Sequence, residues 1–118
     1  MRFEERELKP YAEPISDGDL IEGGVYFLVN FIDDDMLIPQ MLTITFIGKD
    51  LEKGDNDSYH FQDASSYKDG VRFGSENKDD VASYYKCSIN ELKGIYDFEH
   101  ALEILMCCSL RRREKHFK

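Results

Sequence analysis

The sequence predicts an α+β domain: a small, strongly bent antiparallel sheet of about five strands, with a C-terminal amphipathic helix packed on it. Three observations predict this class. Short runs of alternating apolar and polar residues recur between turn-forming clusters from Val25 to Ile89. One long apolar rhythm of helical period follows, from Phe98 to Leu110. Strands first and a helix last is the order of an α+β fold, not of repeated strand–helix–strand units.

The first sixteen residues are charged and contain Pro10 and Pro14, so residues 1–16 read as an extended lead-in. Residues 17–118 then form a single α+β domain ending in a basic stretch, and 118 residues suffice for one buried core. Gly23-Gly24 predicts a turn into a strand over Val25–Ile32. Val25, Phe27, Val29 and Phe31 share one face of that strand, and Tyr26, Leu28, Asn30 and Ile32 share the other. Both faces are largely apolar, so the strand is expected inside the sheet and covered on each side.

A second strand is expected over Met41–Gly48, with Leu42, Ile44 and Phe46 inward and Thr43 and Thr45 facing water or a ligand. Pro39 lacks a ladder donor and predicts an edge, a bulge or a bend. After the polar loop "KDLEKGDNDS", the run "YHFQD" predicts a third strand with Tyr59 and Phe61 inward and His60 and Gln62 outward. "SSYKDG" reads as a turn, "VRFG" as a short strand, "SENKDD" as a loop or helix start, and "VASYYKCSI" as a fifth strand. Asp97 is placed to cap a helix carrying Phe98, Ala101, Leu102, Leu105 and Cys108 at helical spacing, widened by Ile104, Met106, Cys107 and Leu110. Arg111, Arg112 and Arg113 stand where positive charge complements the helix dipole.

The stretch "DLIEGGVYF" resembles the opening of many small SH3-like barrels, with an acidic turn before a central strand. The resemblance covers a few residues and implies a half-open barrel; it implies no activity.

Net charge is −9, unevenly spread. The last eight residues, "RRREKHFK", carry five basic and one acidic side chain, and the other 110 carry ten basic and twenty-three acidic. An acidic body disfavours nucleic acid and anionic membrane and favours a basic protein partner or cations. No run of eighteen apolar residues predicts a membrane span, and "MRFEERELKP" lacks the apolar centre of a secretory leader. Cys87, Cys107 and Cys108 form no paired framework and read as reduced thiols. A cytoplasmic setting is therefore expected. Oligomeric state is not legible.

The familiar catalytic signatures are missing. There is no phosphate-binding glycine loop, no paired Cys/His spacing for zinc and no Gly-x-Ser-x-Gly elbow. An EF-hand frame started at Asp55 meets Tyr59 at its fifth position, and one started at Asp33 meets Leu37. No catalytic residue, metal site or cofactor is assigned. Cys87, beside Lys86, is the cysteine with most claim to reactivity, although a packed sheet cysteine has the same signature.

What stands out is acid and tyrosine. Asp33, Asp34 and Asp35 lie between the first two strands. In the segment Gly54–Gly70, twelve of seventeen residues are Gly, Asp, Asn, Ser or Tyr, a composition shared by adaptable binding surfaces and by plain turns. The expectation is a non-catalytic interaction module, of the inhibitor or toxin-neutralising (immunity-like) kind, that meets a basic partner through Asp33, Asp34, Asp35, Asp55, Asp57, Tyr59, Asp63 and Tyr67. The alternative is a small-ligand or modest enzymatic site at a polar barrel mouth formed by Thr43, Thr45, His60 and Asp63. A third reading is irregular divalent-cation binding between the Asp33–Asp35 triplet and the "GDNDS" loop.

Overall fold

A computed structural model gives the architecture, and it describes residues 14–74 and 81–116. Five strands form one antiparallel sheet: β1 (Val25–Phe31), β2 (Pro39–Lys49), β3 (Tyr59–Asp63), β4 (Tyr84–Cys87) and β5 (Ile95–Tyr96). Their order across the sheet is β4-β3-β2-β1-β5, so the sheet is open. Among the described residues two α-helices accompany it, α1 (Ala64–Lys68) and the long α2 (Phe98–His116). The fold is therefore α+β, with the strands before the long helix, as expected.

β1 and β2 pair as a hairpin from Val25↔Thr45 to Phe31↔Pro39. Both faces of β1 are covered, as its double apolar pattern predicts. Tyr26 joins Ile44, Phe46, Tyr59, Phe61, Leu92 and Ile95 in one buried cluster. Val29 joins Tyr96 and Ala101 on the opposite face, with Phe27 and Ile104 packed against them. Phe61, fully buried, lies with its ring tilted 5.4 Å from that of Phe46 and anchors the larger cluster. Burying one such ring stabilises the fold by about 1.5–3 kcal/mol. The hydroxyl of Tyr26 accepts from Ile21 N (2.8 Å) and donates to Asp19 O (3.3 Å), tying the Asp19–Ile21 stretch to β1.

Pro39 opens β2 opposite the last residue of β1, a position that needs no ladder donor. The bulge falls later, between Phe46 and Gly48. Gly48 has φ 143°, and a Cβ there would come within 3.0 Å of the Leu51 side chain, so glycine suits this step.

α2 begins as its cap predicts. Asp97 Oδ1 accepts from His100 N at 2.9 Å, and His100 Nδ1 lies 2.7 Å from the same oxygen. Ala101, Cys107 and Cys108 are buried, whereas Phe98, Leu102, Met106 and Leu110 remain exposed. The helix packs over β1 and β5, with Phe98 edge-on to Phe27 at 5.7 Å.

Several expectations need correction. "SSYKDG" is mostly helix: α1 starts one residue after its cap Asp63, whose Oδ2 accepts from Ser66 N at 2.9 Å. "VRFG" is irregular rather than a strand. It folds back over β3, where Val71 O accepts from Gln62 Nε2 at 2.9 Å. For that reason His60 and Gln62, expected outward, are buried. Thr45, expected to face water or a ligand, is buried too, because it is the register partner of Gln62 on that covered face. The fifth predicted run contracts to Tyr84–Cys87, and the two-residue β5 was not foreseen. "SENKDD" and most of the lead-in lie outside the described residues.

Candidate functional site

The candidate residues separate into four places. The first is the tip of the β1–β2 hairpin. Asp33 turns its carboxylate back on the loop: Oδ1 accepts from Leu37 N (3.0 Å) and Ile38 N (2.8 Å), and Oδ2 lies 3.1 Å from Leu37 N. Burial pushes this carboxyl up, but the Ile38 and Leu37 amides and the Arg112 charge outweigh it and hold the group below its usual range. Met36 takes a left-handed backbone, φ 57°. The far side of the tip is gripped from α2. Arg111 donates to Met36 O through Nε (3.1 Å) and Nη2 (2.9 Å), and Arg112 Nη1 donates to Leu37 O at 2.8 Å. The arginine run read as a dipole partner thus also clamps the loop. Asp34 and Asp35 lie exposed on this braced tip.

The second place is the loop between β2 and β3. Asp55 is turned inward, its side chain only 2% exposed. Its Oδ2 receives His60 Nε2 at 2.7 Å and Glu52 N at 2.9 Å, and Oδ1 pairs with the Lys86 ammonium. The hydrogen bond from Lys86 is the main reason that the Asp55 carboxyl is pulled down to about 2; burial opposes it, and Glu52 N and His60 assist. Lys86 is correspondingly raised by the same bond. Asp57 sits 3.0 Å from Lys49 Nζ in an exposed pair, and Asp50 Oδ1 accepts from Ser58 N at 2.8 Å. Among the candidates here, only Asp57 keeps its carboxylate at the surface.

The third place is the end of β3. Asp63 accepts from Ser66 N, from Ser66 Oγ (2.6 Å) and from Ser83 N (2.8 Å). Burial raises its carboxyl, but the Ser66 hydroxyl and the two amides hold it below the ordinary value. Its role is to cap α1 and to fasten β4. Tyr59 is buried in the main cluster, and its hydroxyl donates to Asp17 Oδ2 at 3.1 Å.

The fourth is a shallow groove of about 510 Å³ lined by Glu22, Ile47, Leu51, Tyr67, Arg72, Phe73 and Gly74. Tyr67 lies beneath the Arg72 guanidinium, 3.8 Å from ring centroid to Cζ. Arg72 Nη1 is itself held by Tyr67 O (2.8 Å) and Val71 O (2.9 Å). No motif or spacing marked this groove in advance. Its walls come from three separate stretches that only the chain's fold-back brings together.

The barrel-mouth set does not assemble in that groove: Thr43 is exposed on β2, Thr45 and His60 are buried, and Asp63 is a cap. The two acidic loops proposed for a cation do not converge either. Among the described residues no group of three or more His, Cys, Asp or Glu is placed to hold a metal ion. Cys87 is half-buried, and burial, aided by Glu91, pushes its thiol up, away from the reactive thiolate. Among the described residues no helix is long and apolar enough to cross a membrane. No protein-family model matches this chain, and no curated protein or solved structure shows significant similarity to it.

Proposed function

We propose that this chain is a non-catalytic interaction module that meets a basic protein partner, in the manner of an inhibitor or toxin-neutralising protein. One observation carries the reading: the Asp33–Asp35 tip is an acidic surface loop braced from both sides, by the Asp33 carboxylate and by Arg111 and Arg112. A loop already held in one shape loses little conformational entropy on docking, so more of its contact energy appears as affinity. Its charge, with that of an acidic body, speeds encounter with a cationic surface. Of the candidate carboxylates, Asp34 and Asp35 lie exposed on the tip and Asp57 lies exposed in its pair with Lys49, whereas Asp33, Asp55 and Asp63 hold the scaffold. A half-open, SH3-like bend of the sheet and a cytoplasmic setting belong to the same proposal.

The test is retention on the immobilised chain from a cell lysate at low and at moderate salt. Basic proteins are expected to bind at low salt, to weaken as salt rises, and to bind Asp34→Lys more weakly. Retention of nothing basic at low salt overturns the reading.

A second reading has its own observation. The groove beside Tyr67, Arg72 and Phe73 offers a stacked aromatic face and a guanidinium, which suits a small planar anion. A thermal-shift screen of aromatic carboxylates tests it. A hit lost in Arg72→Ala supports this reading, and the absence of any hit removes it.

A further inference from the structure

β2 is eleven residues long, but β3 pairs only with its second half, from Ile44 to Lys49. The first half, Pro39–Thr43, has β1 on one side, and no strand among the described residues on the other. All five of these residues are exposed, Met41 by 37% and Leu42 by 41%. Main-chain direction follows from the ladder. Phe46 N donates to Gly24 O and Phe46 O accepts from Gly23 N, so Phe46 points its polar backbone at the β1 side. Alternation along the strand then aims the N–H and C=O of Met41 and Thr43 at the open side. No partner for them occurs among the described residues.

We infer that this open edge is a docking site for an extended segment of a protein partner, added as a strand beside Pro39–Thr43, with lysine or arginine flanking its central residues. The inference rests on the acidic-module reading above and specifies where and how the partner is held. An unpaired edge is a ready template for strand addition, and proteins usually blunt one with charge or proline. Here thirteen consecutive residues, Met36–Gly48, carry no charge, and Pro39 guards only the far end. Side chains on both faces can contribute: Met41 and Thr43 lie with Val29 and Phe27, and Leu42 lies with Leu28. The segment has room for a few residues before it meets Asp63, which already pairs with Ile44. At the other end it leaves past the hairpin tip that carries Asp34 and Asp35, which favours a cationic flank. A second copy of a chain with net charge −9 is disfavoured by the same charge.

The experiment is a nuclear magnetic resonance titration of the isotope-labelled full chain with the peptide Lys-Thr-Val-Thr-Val-Thr-Lys, blocked at both ends. The Met41 and Thr43 amides are expected to shift progressively up to about 2 mM peptide, the millimolar range of a weak single-strand contact. Thr43→Pro removes one outward N–H without breaking the β1 ladder, and should weaken binding at least about tenfold at unchanged fold. Thr43→Ala keeps the N–H and should bind like the parent. A Glu-flanked peptide should bind about tenfold more weakly than the Lys-flanked one. If the Met41 and Thr43 amides stay still, or if Thr43→Pro binds as well as Thr43→Ala, the edge is not the site. Shifts confined to Asp34 and Asp35 overturn the edge while leaving the acidic-module reading intact. Equal binding of the two peptides overturns the cationic flank. The lysate experiment above tests the module reading independently of any strand edge.

Discussion

The hairpin tip and the β2–β3 loop look alike as sequence, since each is a polar loop with clustered aspartates between two strands. In the fold they do opposite things. The loop turns Asp55 inward, where His60, Glu52 N and Lys86 all meet one carboxylate. The tip uses one aspartate, Asp33, as a brace and leaves Asp34 and Asp35 exposed. The difference comes from what surrounds each loop. β3 and β4 place His60 and Lys86 side by side as register partners, a ready pocket for one anion. At the tip the Asp33 carboxylate takes backbone amides, and the arginines of α2 bind the Met36 and Leu37 carbonyls. Aspartate content therefore does not say whether a loop holds a fold together or offers charge to a partner; the groups facing it do.

The largest expected effect comes from breaking the inward loop. Asp55→Ala leaves buried His60 without its acceptor and Lys86 without its carboxylate. Tm should fall on the order of 10 °C, because the loss leaves the buried His60 ring unpartnered, while the half-exposed Lys86 can turn to water. Differential scanning calorimetry reads this directly. A fall no larger than that of Asp57→Ala, an exposed carboxylate, would mean that the Asp55 network contributes nothing special.

Acid sharpens the same contrast. The Asp55 carboxyl lies at about 2 in the fold against an ordinary 3.8. A group whose folded value is depressed stabilises the fold above its unfolded value, and that stabilisation is lost as pH falls through the folded value. Urea midpoints of the parent should therefore drop between about pH 4 and 2, and Asp55→Asn should show a shallower drop over that window. Identical slopes would remove Asp55 from the acid response.

The tip predicts a smaller effect. Asp33→Ala takes the acceptor from Leu37 N and Ile38 N, so Tm should fall by a few degrees at most, on the order of a lost helix cap. Hydrogen exchange at the Leu37 and Ile38 amides should rise more than the change in Tm alone requires. Unchanged exchange there would show that the arginines suffice to hold the loop.

These two loops also show what the sequence could carry. The β1–β2 hairpin was legible because period-two alternation and a polar connection are local signals. The Asp97 cap and the start of α2 were legible for the same reason. The burial of Thr45, His60 and Gln62 was not, because it depends on residues 64–74 folding back over β3. α1 is not legible because five residues with two serines have the composition of a turn, and the two-residue β5 carries no periodicity at all. Of the candidate site, the place of Asp33–Asp35 between the first two strands is legible, whereas nothing local tells Asp55 from Asp57. That distinction is made by Lys86, thirty-one positions further along the chain from Asp55.

The smallest effect on stability should come from Asp34→Lys, and there the contrast is sharpest. Asp34 is exposed, and an exposed substitution away from a cap or network leaves Tm within a degree or two, as about 0.5 kcal/mol or less would. Binding should respond although the fold does not. If the tip meets a basic partner as proposed, reversing one of its charges should slow association and flatten its salt dependence, while dissociation changes little, because a rim charge acts chiefly on encounter. Stopped-flow or surface-plasmon kinetics at two salt concentrations separate these rates. If Asp34→Lys leaves association unchanged while Asp57→Lys slows it, the outward charge that matters sits on the other loop, and the contrast between the two regions must be redrawn.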